Sequence, residues 1–262
     1  MLIDILTDMQ GWFFEESLSI DDNPEVFSPL EDIDPPIDLL LVEVDGDADS
    51  LGFAVDDAYP ERTNIYLAEQ TADVYEFSGF GNPVADAQFW EKQNGSSSCA
   101  VMTQTNIFES ITGERIPEDI ACQIAQEKGW FDPEIGTRPG DVGKLLNELG
   151  IPTEQKYNAT LEDIANALEK GDRPIVALDA NEIWTPIRDT NGMPLEQTNA
   201  GHAVWITGIE TQADGSVKIV LNDSGHSNGK MASVDALDFL NAWEDHSNFL
   251  VVADAPDQTV VA

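Results

Sequence analysis

The order of hydrophobic patterns along the chain predicts an α+β domain, with a helical N-terminal half and a C-terminal antiparallel sheet. Helix-period apolar spacing recurs across residues 100–170, with start and stop signals around each stretch. From Pro174 onward it gives way to strand-like runs. Residues 203–209 and 217–221, joined by the turn 212–215, carry a hairpin signal with good alternation. Helices first and strands second argue for segregated layers rather than repeated βαβ units.

Residues 1–80 stand apart, with Arg62 as their one basic residue among many Asp, Glu and Pro. Such a composition favours disorder. Apolar clusters persist in it, however: residues 1–14, ending on Trp12, Phe13 and Phe14, read as a short helix, and residues 39–44 and 51–55 as a hairpin. The hairpin turn, Asp45-Gly46-Asp47-Ala48-Asp49, has the alternating carboxylates of a calcium loop. Ser50 stands where that loop needs Gly, and Asp56 where it needs Glu, so the stretch reads as a solvated turn. Residues 64–67 and 74–77 read as short extended pieces.

The character changes at Pro83. Residues 100–110 read as a buried helix running on from Cys99. Residues 117–128 read as a second, with Pro117 and acids at its start and Lys128-Gly129 at its end. After the turn Arg138-Pro139-Gly140, residues 141–150 read as a third helix with Val142, Leu145, Leu146 and Leu149 on its apolar face. Thr160 is the N-cap expected for a helix over 161–170, and Gly171 its stop. A strand follows at 174–178, then a long loop at 184–200, the hairpin, an amphipathic helix over 233–243 and a closing strand at 249–253. The expected organisation is an acidic extension or small accessory domain over 1–80, one principal domain over 81–256, and a frayed tail over 257–262.

A chain of 262 residues with 42% hydrophobic content can bury a core, and its formal net charge is −38. That charge repels phosphate backbones and anionic headgroups, so nucleic acid and membrane surfaces are excluded as partners. Basic proteins or peptides and divalent cations are favoured, and a salty milieu would also account for the acidity. The longest apolar run, residues 37–44, is too short to span a bilayer, and no secretory signal opens the chain. A cytoplasmic location is the default expectation, with export lacking a cleaved signal as the alternative.

The two cysteines, Cys99 and Cys122, do not make a disulfide scaffold in a chain this long. Cys122 falls on the apolar face of the second helix and reads as core. Neither the cysteines nor the three histidines show zinc-ligand spacing, so no metal or cofactor is expected.

Cys99 lies where the loop Gln93-Asn94-Gly95-Ser96-Ser97-Ser98 meets a helix start. The first turn of a helix leaves backbone N–H groups without partners and favours a thiolate. Gln93, six residues upstream, can aim an amide at the same spot. A cysteine nucleophile also needs a base and an orienting group. His202 opens the first hairpin strand, while Asn222 and Asp223 end the second. Antiparallel pairing brings the start of one strand beside the end of the next, so an amide or carboxylate from that pair reaches His202. His226, in a Ser-Gly-His-Ser-Asn-Gly loop close to the same edge, reads as solvated, with lining the site as the alternative, and His246 as an unremarkable residue after the late helix.

Gln93, Cys99-Ala-Val-Met, Gly201-His202-Ala203-Val204 and Val220-Leu221-Asn222-Asp223-Ser224-Gly225 together resemble the papain-like cysteine peptidases of the bacteriocin-leader-processing type. The likeness is greater to stand-alone bacterial proteins carrying that domain, and it extends over residues 83–256. It implies a papain-like fold in which Gln93 and the Cys99 N–H form an oxyanion hole. It also implies that Cys99 attacks, His202 shuttles the proton and Asp223 orients His202. Proline usually follows the acid in that family, whereas Ser224 stands here. Other papain-like enzymes use Asn as the orienting group, which keeps Asn222 beside Asp223 as a candidate.

The function expected is a cysteine peptidase acting on a peptide or isopeptide bond, with a peptide or protein substrate of basic character. The alternatives are a non-catalytic papain-like binding module with an acidic docking region, and an acyltransferase or deamidase on the same scaffold.

Overall fold

The computed structural model describes residues 77–255. The expected N-terminal helix, the acidic hairpin with its Asp-rich turn, and the tail all lie outside those residues. β4, Gly201–Thr211, is the longest strand and organises the sheet. The earlier half of β4 pairs with β3, Arg173–Asp179, in a register that sets Leu178 against His202 and Asp179 against Gly201. The later half pairs on the same side with a short strand, β1, Gly79–Gly81. Along its other edge β4 meets β5, Val217–Asn222, through a register shift between Ile206 and Gly208. Such an irregularity bends a strand and increases its twist. With β2, Thr153–Lys156, β6, Ala232–Asp235, and β7, Leu250–Ala253, the sheet runs β2-β7-β3-β4-β5-β6, every pairing antiparallel.

Both faces are covered, so β3 and β4 are buried along nearly their whole length. A short helix α1, Pro83–Asp86, precedes the helical layer on one face. That layer is formed by α2, Cys99–Thr112, whose Ala100, Ile107 and Phe108 pack with Ile175, Ala177, Ala203, Trp205 and Val251. Behind it, α3, Glu118–Glu127, and α4, Lys144–Glu148, close a smaller cluster around Val101, Ala121 and Leu145. The opposite face carries α5, Leu161–Lys170, and α7, Ala236–Glu244. Their Ile164, Leu168, Phe239 and Trp243 meet Val176, Leu178, Val204 and Ile206. The fold is thus α+β, with a helical N-terminal half and a C-terminal antiparallel sheet.

Local signals placed most elements well. Thr160 and Asp163 form a reciprocal capping box on α5, and Gly171 stops it in the left-handed conformation. Several segments differ from expectation. The third helix is reduced to Lys144–Glu148 because Gly143, at φ 94, interrupts the run. A side chain there would also meet Thr153 Oγ1 at 2.6 Å. The late helix begins only at Ala236, since residues 232–235 add an edge strand to β5 and Asp235 caps the helix through Leu237 N. A short helix that was not expected, α6, Ala180–Trp184, stands between β3 and the long loop, and Asp179 caps it. Among the described residues no helix is long and apolar enough to cross a membrane.

Candidate active site

The loop before α2 is held by a residue that local sequence reading missed. Glu118, in the first turn of α3, accepts hydrogen bonds from Asn94 N at 2.7 Å, Asn94 Nδ2 at 2.6 Å, Gly95 N at 3.0 Å and Ser98 Oγ at 2.6 Å. Burial alone would raise its carboxyl, but these donors hold it below the usual range. The available sequence signal was an acid following Pro117 at a helix start, which reads as ordinary capping. With Ser98 drawn to Glu118 and to Gly95 O, it makes no side-chain cap on α2. The first-turn N–H groups around Cys99 are therefore left without a side-chain acceptor.

One turn further along α2, Thr103 Oγ1 donates to Ala203 O at 3.1 Å. This bond ties the start of the helix to the residue after His202. His202 is fully buried, and its Nε2 lies 2.6 Å from Asp223 Oδ1. Burial would push the imidazole down, but the Asp223 carboxylate and the Cys99 sulfur more than offset it and raise the ring to about 10. The ring's other nitrogen, Nδ1, is buried and has no hydrogen bond of ordinary geometry. The Cys99 sulfur acts on the same ring. Cys99 itself keeps 3% of its surface exposed.

Asp223 is saturated with donors. Besides His202, its Oδ1 accepts from Gly225 N at 2.7 Å and its Oδ2 from Trp184 Nε1 at 2.8 Å. Burial works to raise its carboxyl, and the charged ring with these donors lowers it below the usual range. Its backbone is fixed as well: Asp223 N donates to Gly229 O at 2.9 Å, and Trp90 Nε1 donates to Asp223 O at 2.5 Å. Asn222 is occupied elsewhere, donating to Asp86 O and accepting from Met231 N, each at 3.0 Å.

Gln93 reaches the same neighbourhood from the loop before α2. Its backbone N donates to Ser224 O at 2.8 Å, and Ser224 Oγ donates to Gln93 Oε1 at 3.0 Å. The Gln93 Nε2 group donates to Gly95 O at 2.7 Å. Ser224, where proline was expected, thus supplies a hydroxyl that fixes the Gln93 amide.

Two histidine readings need correction. His226 is not simply solvated: it is half-buried, and its ring stacks on Trp184 with centroids 3.6 Å apart and planes 18° from parallel. Trp184 therefore links His226 to Asp223. His246 is buried, and burial pushes it down to about 4, so it stays neutral at ordinary pH. Cys122 is half-buried at the edge of the α3 cluster, where burial and the Glu118 and Asp119 charges push its thiol up to about 12. Such a thiol is inert at neutral pH.

The family model described as "Peptidase_C39 like family" matches residues 84–250. The uncharacterized protein Rv1268c of Mycobacterium tuberculosis is 27% identical over 212 residues, covering 69% of this chain and 87% of its own length. Its counterpart Mb1299c of Mycobacterium bovis matches to the same extent, 27% identical with 69% and 87% covered. A crystal structure described as a C39-like peptidase from Bacillus anthracis superposes with a TM-score of 0.49 at 12% identity, covering 69% of this chain and all of that one. That superposition is too loose to bear on function. The family model spans the loop before Cys99, the hairpin and its acid, and on that match the chain belongs to the Peptidase_C39 like family.

Proposed function

We propose that the protein is a cysteine peptidase, a thiol hydrolase that cleaves a peptide or isopeptide bond through Cys99, His202 and Asp223. The observation that carries this reading is the buried 2.6 Å contact between His202 and Asp223, with Cys99 acting on the same imidazole from the start of a helix. Asp223 keeps His202 oriented and charged. His202 holds the proton taken from Cys99, and the sulfur attacks the substrate carbonyl. The oxyanion falls to the first-turn amides of α2 and to the second N–H of the Gln93 amide. His202 then protonates the leaving amine, and water, deprotonated by the same ring, releases the acyl group. A net charge of −38 favours a substrate of basic character.

One observation favours the rival reading, a non-catalytic papain-like binding module: Cys99 is only 3% exposed. Hydrolysis then requires the surrounding loops to open. Iodoacetamide separates the two readings. A working site alkylates Cys99 at neutral pH or below, far faster than Cys122, and a peptide library is cleaved. Cys99→Ala abolishes that cleavage, Gln93→Ala lowers it about a hundredfold, and Cys122→Ala leaves it nearly intact. A Cys99 as sluggish as Cys122, with no peptide cleaved, supports the binding module instead.

A further inference from the structure

A second cluster of ionisable groups lies outside the proposed site. One carboxylate oxygen each from Asp179, Glu182 and Asp245 come within 4.8 Å of one another. These residues arrive from three directions: the end of β3, the middle of α6 and the residue after α7. A fourth acid, Glu196, comes from the loop that leads into β4 and acts on Asp245. None of the principal charges acting on Asp179, Glu182 or Asp245 is a cation.

Like charges at this range repel strongly in a partly buried setting, so the cluster needs a counter-charge. Most of its hydrogen-bonding capacity serves the scaffold. Asp179 Oδ1 accepts from Asn181 N at 2.8 Å and Ala200 N at 2.9 Å. Glu182 accepts from Gln197 N at 2.8 Å and from Asn241 Nδ2. Two oxygens are not served. Asp179 is fully buried, yet its Oδ2 has no hydrogen-bond partner, and neither does the buried Asp245 Oδ2. Buried carboxylate oxygens left bare beside other carboxylates are ligand atoms awaiting a partner.

We propose that Asp179, Glu182 and Asp245, with Glu196 at the outer edge, form a binding site for a calcium-class divalent cation. The donors are all oxygen, which suits a hard cation and not zinc. Carboxylate oxygens within 4.8 Å of one another are close enough to share one such cation. Calcium accepts irregular cages of carboxylate oxygens, whereas magnesium, at about 2.0–2.1 Å, demands near-octahedral geometry and keeps its waters. The ion joins β3, α6, the loop into β4 and the end of α7. Since α6 ends in Trp184, whose indole donates to Asp223, the ion also steadies one support of the His202–Asp223 pair.

The test is cation binding by the full chain, independent of any peptidase activity. Protein stripped with EDTA is titrated calorimetrically with CaCl2 in about 1 M NaCl, where a Debye length of about 3 Å screens diffuse binding to the acidic surface. Thermal unfolding is followed in parallel. The expected result is saturable binding, a melting temperature raised by several degrees, and a smaller response to MgCl2. Asp245→Asn relieves repulsion, so it melts higher than wild type without metal while binding Ca2+ at least tenfold more weakly. Asp179→Asn removes the buried ligand and weakens binding likewise. Absence of saturable binding overturns the proposal and leaves protons as the cluster's counter-charge. Undiminished binding in Asp245→Asn overturns it by placing the ion elsewhere, and an equal response to Mg2+ overturns the calcium assignment.

Discussion

Replacing Asp223 with Asn removes one buried charge while preserving the shape of the side chain. His202 is raised from 6.5 to about 10 although burial acts in the opposite direction, which corresponds to about 5 kcal/mol favouring the imidazolium. Asp223 is the larger source of that preference, and Cys99 the lesser. In Asp223→Asn, burial is opposed by Cys99 alone, so the ring falls to its ordinary value or below and is neutral at pH 7. The amide also presents an NH2 group to a position where Trp184 Nε1 or Gly225 N already donates, leaving one donor unpaired at about 1–3 kcal/mol of stability. Reactivity at Cys99 then drops by roughly 10²–10⁴-fold at neutral pH, the range of a lost acid–base partner, and its pH profile moves to the alkaline side. The assay is the rate of iodoacetamide alkylation at Cys99, read by peptide mass spectrometry from about pH 5 to about pH 10, with His202 followed by NMR. A variant whose His202 stays protonated at pH 8, or whose alkylation profile matches wild type, refutes the view that this carboxylate holds the charge on the ring.

Other outcomes follow from the same contacts. Glu118→Ala strips four hydrogen bonds from the loop before Cys99, so stability falls by about 1–3 kcal/mol in denaturant melts and Cys99 alkylation slows, whereas Glu118→Gln recovers part of both. Gly229→Ala places a Cβ 2.0 Å from Asp223 O, so the loop carrying the acid must shift; unfolding measurements should show a loss above about 2 kcal/mol. Asp86 is raised to about 6, first by burial and against the pull of Arg173, so it contributes stability that is complete below 3.8 and lost as pH rises through about 6. His202, also raised, contributes stability that is complete below 6.5 and lost as pH rises through about 10. Melting temperatures measured against pH should therefore decline in both windows, with Asp86→Asn flattening only the lower one.

The elements were legible where their causes are local. The Thr160 capping box, the left-handed Gly171 and the β-branched runs of β4 and β5 around their turn are written within a few residues of the structure they produce. The errors came where a tertiary partner changed the outcome. Residues 233–235 have helix-compatible spacing but are captured by β5 as an edge strand. The run before α4 is cut at Gly143, which packs against Thr153 where a side chain would collide.

The chain's order of residues was enough to bring forward Gln93, Cys99, His202 and the pair Asn222–Asp223, because hairpin pairing and a helix start are short-range facts. It could not choose within that pair. Neighbouring residues at a strand end point in different directions, and only long-range packing ties Asn222 to Asp86 while turning Asp223 toward His202, Trp184 and Gly225. The grip of Glu118 on a loop 20–24 residues away, the stack of His226 on Trp184 and the gathering of four acids near α6 have the same origin. Each depends on side chains distant in sequence meeting after the sheet has closed, and no periodicity or cap within a segment encodes such a meeting.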